Sequence, residues 1–516
     1  MSDKMKFREV VASGYTFKGE HFAIGCAMLD GEVEGTLIQL PLKTMNRHGL
    51  IAGATGTGKT KTLQLLAEGL SDASIPVLLM DIKGDLSGIG ARGENNEKIA
   101  DRIRKLNMNY APAAYPVELM TLSSEEGVRL RATVSEFGPL LLSKILGLND
   151  TQEGVVAMLF KYCDDQKLPL LDLKDFIKVL QYAAGEGKSE LEKNYGKIST
   201  TSTGTILRKV IELQQQGADI FFGEPSFDVA DLLRIGDDGR GMVNILRVTD
   251  MQARPKMFST FMLSLLAELY GSLPEEGDLE KPKLVLFIDE AHLVFQEATK
   301  ALLEQIETVV KLIRSKGVGI FFCTQNPQDI PAAVLAQLGL KVQHALRAFT
   351  AADRKVIREA SQNYPETAFY KIDELLTQLG IGEAFVTVLN EKGIPTPLVH
   401  VMLQPPKSRM DILTAEEIKG INARSKLVRK YSAVEDSKSA YEILSEKLED
   451  AATRSEQVSK ESKQSGHREK STMEKVLESS VTRQIGRTAA SVITRTLLGA
   501  LGLGGTTRRR RKSPWL

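Results

Sequence analysis

Cysteine is scarce: Cys26, Cys163 and Cys323 are the only three in 516 residues, and they lie far apart. That rules out a disulfide framework and the paired spacings that hold structural zinc. All three are expected to be free, buried thiols in a reducing cytoplasm, Cys323 within the apolar run IFFC. Charge of either sign is not in excess, since 67 Lys+Arg against 66 Asp+Glu leaves a net +1. No global basic field advertises a polyanion, so any such contact must come from local patches. No run of about 18 apolar residues occurs, and the opening MSDKMKFREV lacks the apolar core of a signal peptide. A cytoplasmic chain without membrane spans is therefore expected. With 42% hydrophobic and 26% charged residues the composition is that of a globular protein. Its length suits two to four domains, or one core with large insertions.

What is present begins at residues 49–60, GLIAGATGTGKT. Gly53, Ala54, Thr55, Gly56, Thr57, Gly58, Lys59 and Thr60 spell G-x-x-x-x-G-K-[ST] without a mismatch. A loop that wraps a triphosphate must turn its backbone N–H groups inward, which glycine permits. The helix that follows, with Lys61 in its first turn, adds its positive N-terminal end. Lys59 can then reach the β- and γ-phosphates of ATP, and the Thr60 hydroxyl can ligate Mg²⁺. An accidental match arises in roughly 2% of chains this long. Accident does not also supply a preceding apolar strand and a following helix with Leu63, Leu65, Leu66 and Leu70.

Residues 1–45 mix strand-like runs with Gly-rich turns and read as a small N-terminal β-lobe. Residues 46–95 form the first half of an α/β core, in which IPVLLMDIKGDLSGIG is an apolar strand ending in Asp81, Lys83 and Asp85. Asp81 either serves the metal shell or caps its own loop and pairs with Lys83. From 96 to 240 helical periods dominate, apart from a strand near 117, as in a helical insertion domain. Lys193, Lys197 and Arg208 there either touch a phosphate backbone or form a solvated helix face.

The core resumes over 241–407. Leu284 to Ile288 run into Asp289 and Glu290, a buried parallel strand with two carboxylates at its tip. Asp289 would hold the Mg²⁺ shell and Glu290 would polarise the attacking water; the alternative is a helix cap. Gln325, ending the strand VGIFFCTQ, is placed to sense the γ-phosphate and report to the loop from Asn326 to Pro331. Arg314 either reaches a neighbouring subunit's ATP or balances a helix dipole, and Arg347 is a second candidate arginine. Residues 408–516 read as a charged C-terminal tail, helical or disordered, ending in a basic run from Arg508 to Lys512. That end could bind nucleic acid, lie on an anionic membrane, or remain a solvated or docking segment.

No N-K-x-D motif for guanine is present. The letters DEAH at 289–292 lack the second core such helicases need, because QIGR at Gln484–Arg487 falls in the tail. The order of phosphate loop, insertion, D-E strand, helix ending in R-x-x-G-x-G and strand ending in TQ resembles the HerA/FtsK group of RecA-like ring ATPases. RHGLIAGATGTGKTKTLQ, DIKGDLSG, FFGEP, LFIDEAHLVF and FFCTQNPQDIP are most similar to the bacterial HerA-like DUF853 (YjgR-like) family, over about residues 8–405. The resemblance implies a RecA-like P-loop core with a mostly parallel sheet. It further implies an ATP site shared within a homo-hexamer, with Lys59, Glu290, Gln325 and Arg314 catalytic, and double-stranded DNA as the translocated partner. A nuclease or other protein partner is also implied, although the chain carries no nuclease motif. A second reading, in which ATP state switches a scaffold that recruits a protein, stays open because fold alone does not decide function.

Overall fold

The computed structural model describes residues 3–464 except 124, 250–253, 278, 296–297 and 433–436. The basic C-terminal run and QIGR therefore lie outside the described residues. Those described fall into two compact units, one of residues up to 131 with 225–432, the other of 132–224 with 437–464.

The first unit is built on twelve strands: β1 (His21–Leu29), β2 (Glu32–Pro41), β3 (Gly49–Ala52), β4 (Val77–Asp81), β5 (Val117–Thr121), β6 (Val128–Arg129), β7 (Val243–Arg247), β8 (Leu284–Ile288), β9 (Val318–Thr324), β10 (Leu340–Gln343), β11 (Glu383–Thr387) and β12 (Val399–Leu403). They form one sheet in the order β2-β1-β12-β11-β10-β3-β9-β8-β4-β7-β5-β6. From β10 to β6 every pairing is parallel, whereas β11, β12, β1 and β2 add an antiparallel flank. β3, β4, β8 and β9 are buried at every position, as their unbroken apolar runs require of strands covered on both faces. Phe287 and Phe321, on adjacent strands, pack as tilted rings with centroids 5.0 Å apart inside this core.

The N-terminal strands are continuous with the core sheet, because β1 pairs along β12. A helix, Asp3–Gly14, precedes them where the sequence showed no helical period: only Phe7 and Val11 are buried. Phe7 lies edge-on to Phe369 and Tyr370. The region expected to be a helical insertion from 96 splits. The helix Glu97–Leu106 and strands β5 and β6 belong to the sheet unit, since β5, buried from Glu118 to Thr121, pairs with β7.

The second unit is helical, with principal helices Val134–Leu146, Asp150–Gln166, Leu173–Ala184 and Thr200–Gln215. Reciprocal capping boxes at Thr133, Asn149 and Asp172 satisfy the orphan amides that open the first three. The helix Ala440–Gln464, drawn from the charged tail, also packs here. Its start is fixed by buried Asp175, which accepts hydrogen bonds from the Ser439 hydroxyl and the Tyr441 amide. Ala440 and Leu444 are buried. Lys193, Lys197 and Arg208 all lie exposed in this unit. Cys26, Cys163 and Cys323 are free and buried, and no described helix is long and apolar enough to cross a membrane.

One buried imidazole ties the phosphate-loop strand to its neighbour. His48 donates from Nε2 to the Val310 carbonyl at 2.9 Å and accepts the Ile320 amide on Nδ1 at 3.0 Å, which only the neutral tautomer can do. Burial pushes its pKa down to about 4, with the nearby Arg314 charge acting the same way and the Val310 bond opposing. The folded state thus binds this proton less readily than the unfolded chain. The stability it contributes is complete above about pH 6.5 and is lost as pH falls towards 4. His48→Leu, which orphans both backbone groups, should cost about 2–4 kcal/mol in urea unfolding at pH 7. The gap between the two proteins should narrow on acidification through that window.

Candidate functional site

β3 ends between β9 and β10, and the loop that leaves it is held on both sides. The Gly53 amide donates to the Thr324 carbonyl at 3.3 Å and the Ala54 amide to the Ala345 carbonyl at 2.8 Å. Gly53 has φ 153°, and a Cβ there would sit 2.5 Å from the His344 Cβ. Gly58 has φ 111°, with backbone of Gly382 3.2 Å from a would-be Cβ. Neither position admits a side chain without strain. Thr57 closes the loop by donating its hydroxyl to the Ala54 carbonyl at 2.7 Å and accepting the Gly382 amide on its own carbonyl at 3.0 Å. Thr55 and Gly56 stand exposed at the tip.

The helix Lys59–Asp72 starts at Gly58 with no side-chain cap, so its first amides face the loop unsatisfied. Lys59 is buried and folds back to the Ala54 carbonyl at 3.1 Å, across the cradle of the loop. Burial pushes its pKa down, Lys83 adds to that, and Cys323, Glu290 and Asp289 pull it back. Thr60 is half-buried in the first turn. The Lys61 ammonium is turned away to the Met410 carbonyl and Gln64, leaving its backbone for the loop.

Two strands away, β8 delivers Asp289 and Glu290 at its tip, 2% and 5% exposed. The register pairs Ile288 with Phe322 and Ile51 with Cys323, so the carboxylates stand level with the start of the phosphate loop. Asp289 Oδ2 is buried without a hydrogen-bond partner. Such an oxygen suits a cation and its water. Among the described residues no group of three or more His, Cys, Asp or Glu could cage a metal by itself. An ion here would take much of its shell from phosphate and water, as Mg²⁺ does. Burial raises the Asp289 pKa, Lys83 opposes and Glu290 reinforces. Glu290 sits at φ 45°, a left-handed conformation that costs a non-glycine residue about 1–2 kcal/mol. Its carboxylate ion-pairs with Lys83, and its Oε2 lies 3.4 Å from His292 Nδ1.

Gln325 stands exposed immediately beyond β9, level with the loop. The turn after it is tied by Asp329, which accepts the Thr324 hydroxyl at 2.6 Å and the Asn326 amide at 3.1 Å. Arg314 lies at the other end of β9, exposed and near His48, so a single chain does not bring it to its own phosphate loop. Arg347 is exposed beyond β10, on the same sheet edge as the loop. Asp81 caps its own turn, accepting the amides of Gly84 at 2.7 Å, Asp85 at 3.1 Å and Leu86 at 3.1 Å. Lys83 pairs with Glu290 rather than Asp81. Sequence reasoning missed His344, whose Nε2 meets the Thr62 hydroxyl at 2.8 Å beneath the loop, and Gly382; neither carries a local signal.

The model described as "Helicase HerA-like C-terminal" matches residues 28–510. The chain belongs to this HerA-like family. It is 25% identical over 354 residues to the DNA double-strand break repair helicase HerA of Sulfurisphaera tokodaii, covering 68% of this chain and 64% of that protein. It is 23% identical over 364 residues to the DNA import protein CedB of Sulfolobus acidocaldarius, covering 69% and 52%. The chain thus spans less than two thirds of the length of these HerA-like relatives. In fold it is similar to the plasmid coupling protein TrwB solved with ADP and Mg²⁺, with a TM-score of 0.50 and 14% identity over 78% of this chain and 94% of that one.

The Asp81 carboxyl, whose pKa is raised to about 6 mainly by burial, is what shapes the turn carrying Lys83. Asp81→Ala should lower stability by about 1–3 kcal/mol. The amides of Gly84, Asp85 and Leu86 should lose hydrogen-exchange protection, which mass spectrometry would read.

Proposed function

We propose that this chain hydrolyses ATP with Mg²⁺ at a site completed between subunits of a homo-hexameric ring, and that turnover drives translocation or processing of double-stranded DNA. The observation that carries the reading is the convergence, on one sheet edge, of the phosphate loop, the buried Asp289 carboxylate with its unpartnered Oδ2, and the buried Glu290 carboxylate in contact with Lys83. Thr60 and Asp289 would hold Mg²⁺, which when bound supplies positive charge against the phosphates. Lys59 leaves the Ala54 carbonyl for the β- and γ-phosphates, exchanging a neutral acceptor for a charged one. Glu290 takes the proton of the attacking water, and the site's low exposure keeps other water away. Gln325, at the end of a rigid strand, feels the γ-phosphate and passes its loss to the turn held by Asp329. Arg314, exposed and remote from its own loop, is suited to a neighbour's site. Arg347 is the second candidate for that role.

DNA enters through the relatives, named for DNA break repair and DNA import. A second reading, a nucleotide-switched scaffold for a nuclease or other protein partner, draws on the near-neutral net charge and on the separate helical unit. The motor reading expects ATP hydrolysis to rise when duplex DNA is added, with DNA binding that weakens steeply with salt. The scaffold expects turnover indifferent to DNA. Glu290→Gln should lower kcat at least a hundredfold in either case. No turnover by the intact wild type with Mg²⁺ would overturn hydrolysis itself. Arg314→Ala should cut the rate by about 10³ or more if it acts in trans. Size-exclusion mass with a non-hydrolysable ATP analogue would test the ring.

A further inference from the structure

Lys83 is a cation of the site whose presence the phosphate loop does not explain. It stands on the turn after β4, and that turn is clamped by the three backbone amide hydrogen bonds that Asp81 accepts. From there its ammonium reaches the Glu290 carboxylate and lies close enough to Lys59 and Asp289 to shift both. Two ammonium groups thus approach the carboxylate pair, Lys59 from the β3 side and Lys83 from the β4 side.

The two partners differ in freedom. Glu290 is 5% exposed, with its backbone held at φ 45°. The Lys83 side chain is one-third exposed on a flexible four-carbon stem, so it is the member that can move. A glutamate oxygen occupied by an ammonium is not open to an attacking water. A γ-phosphate brought to Lys59 would offer Lys83 a second, more highly charged acceptor within the same small volume.

Resting on the ATPase reading, we propose that Lys83 is a γ-phosphate-binding residue and a restraint on Glu290. Without a γ-phosphate it pairs with Glu290; with ATP bound it moves to a γ-phosphate oxygen and leaves the Glu290 carboxylate open to the attacking water. The exchange links the ready state of the base to the presence of intact ATP. It requires Lys83 to contribute to ATP affinity and not to ADP affinity.

Binding of fluorescent ADP and of a fluorescent non-hydrolysable ATP analogue, both with Mg²⁺, to the full chain tests this without turnover. Lys83→Met should lose about tenfold in affinity for the analogue, the loss of one charge-assisted contact, while ADP affinity stays within about twofold. Lys83→Arg, which keeps the charge, should recover at least part of the difference. Lys83→Gln stands in if the Met variant melts early. Equal losses for both nucleotides, or none for either, overturn the role of Lys83 and leave the ATPase reading intact. A wild-type chain that binds neither nucleotide removes both.

Discussion

Charge buried at the dry edge of a sheet is the constraint on which the rest of this molecule depends. Asp289, Glu290 and Lys59 are each 5% exposed or less. An isolated ion taken that far from water would neutralise itself or unfold its surroundings. Here opposite charges arrive from three strands, and the residual cost falls on backbone geometry, with Glu290 held at positive φ. Such an arrangement persists only where the surrounding packing over-determines it.

The sheet supplies that packing. β3 is four residues long, yet it is flanked by β9 and β10, which follow it by more than 250 residues in the chain. Every position of β3, β8 and β9 is buried. The strand tips therefore cannot drift relative to one another without opening the core. His48 reinforces the same junction from the opposite end of the strands through its two backbone bonds. The antiparallel flank adds area on the β10 side. Its Gly382 donates its amide to the Thr57 carbonyl, so it also helps hold the phosphate loop in shape.

Much of this was legible before the fold. The spacing of Gly53, Gly58, Lys59 and Thr60 is a local pattern, and so is an apolar run ending in Asp289-Glu290; both lie where strand and loop periodicity placed them. The helix Asp3–Gly14 was not legible, because two buried side chains in twelve residues leave no period to read. The helical unit begins some 35 residues later than expected, because the strand near 117, legible as a strand, is tied to the sheet through the distant β7, a pairing that no local period shows. Within the tail, Ala440–Gln464 carries a polar composition, and its role rests on a few contacts such as Asp175 with Ser439.

By itself the sequence determined the chemistry available: which residues can cradle phosphate, which strand ends in carboxylates, and that no disulfide or cysteine-spaced metal site supports the fold. Those properties reside in residue type and short spacing, which the chain carries before it folds. Only the tertiary structure decided who meets whom. It turned Asp81 inward on its own turn, sent Lys83 to Glu290 and set Arg314 at the far end of β9. The physical reason is that a side chain's partner across a parallel sheet depends on strand order and register. Both are settled by burial of the whole core rather than by any residue's neighbours in the chain.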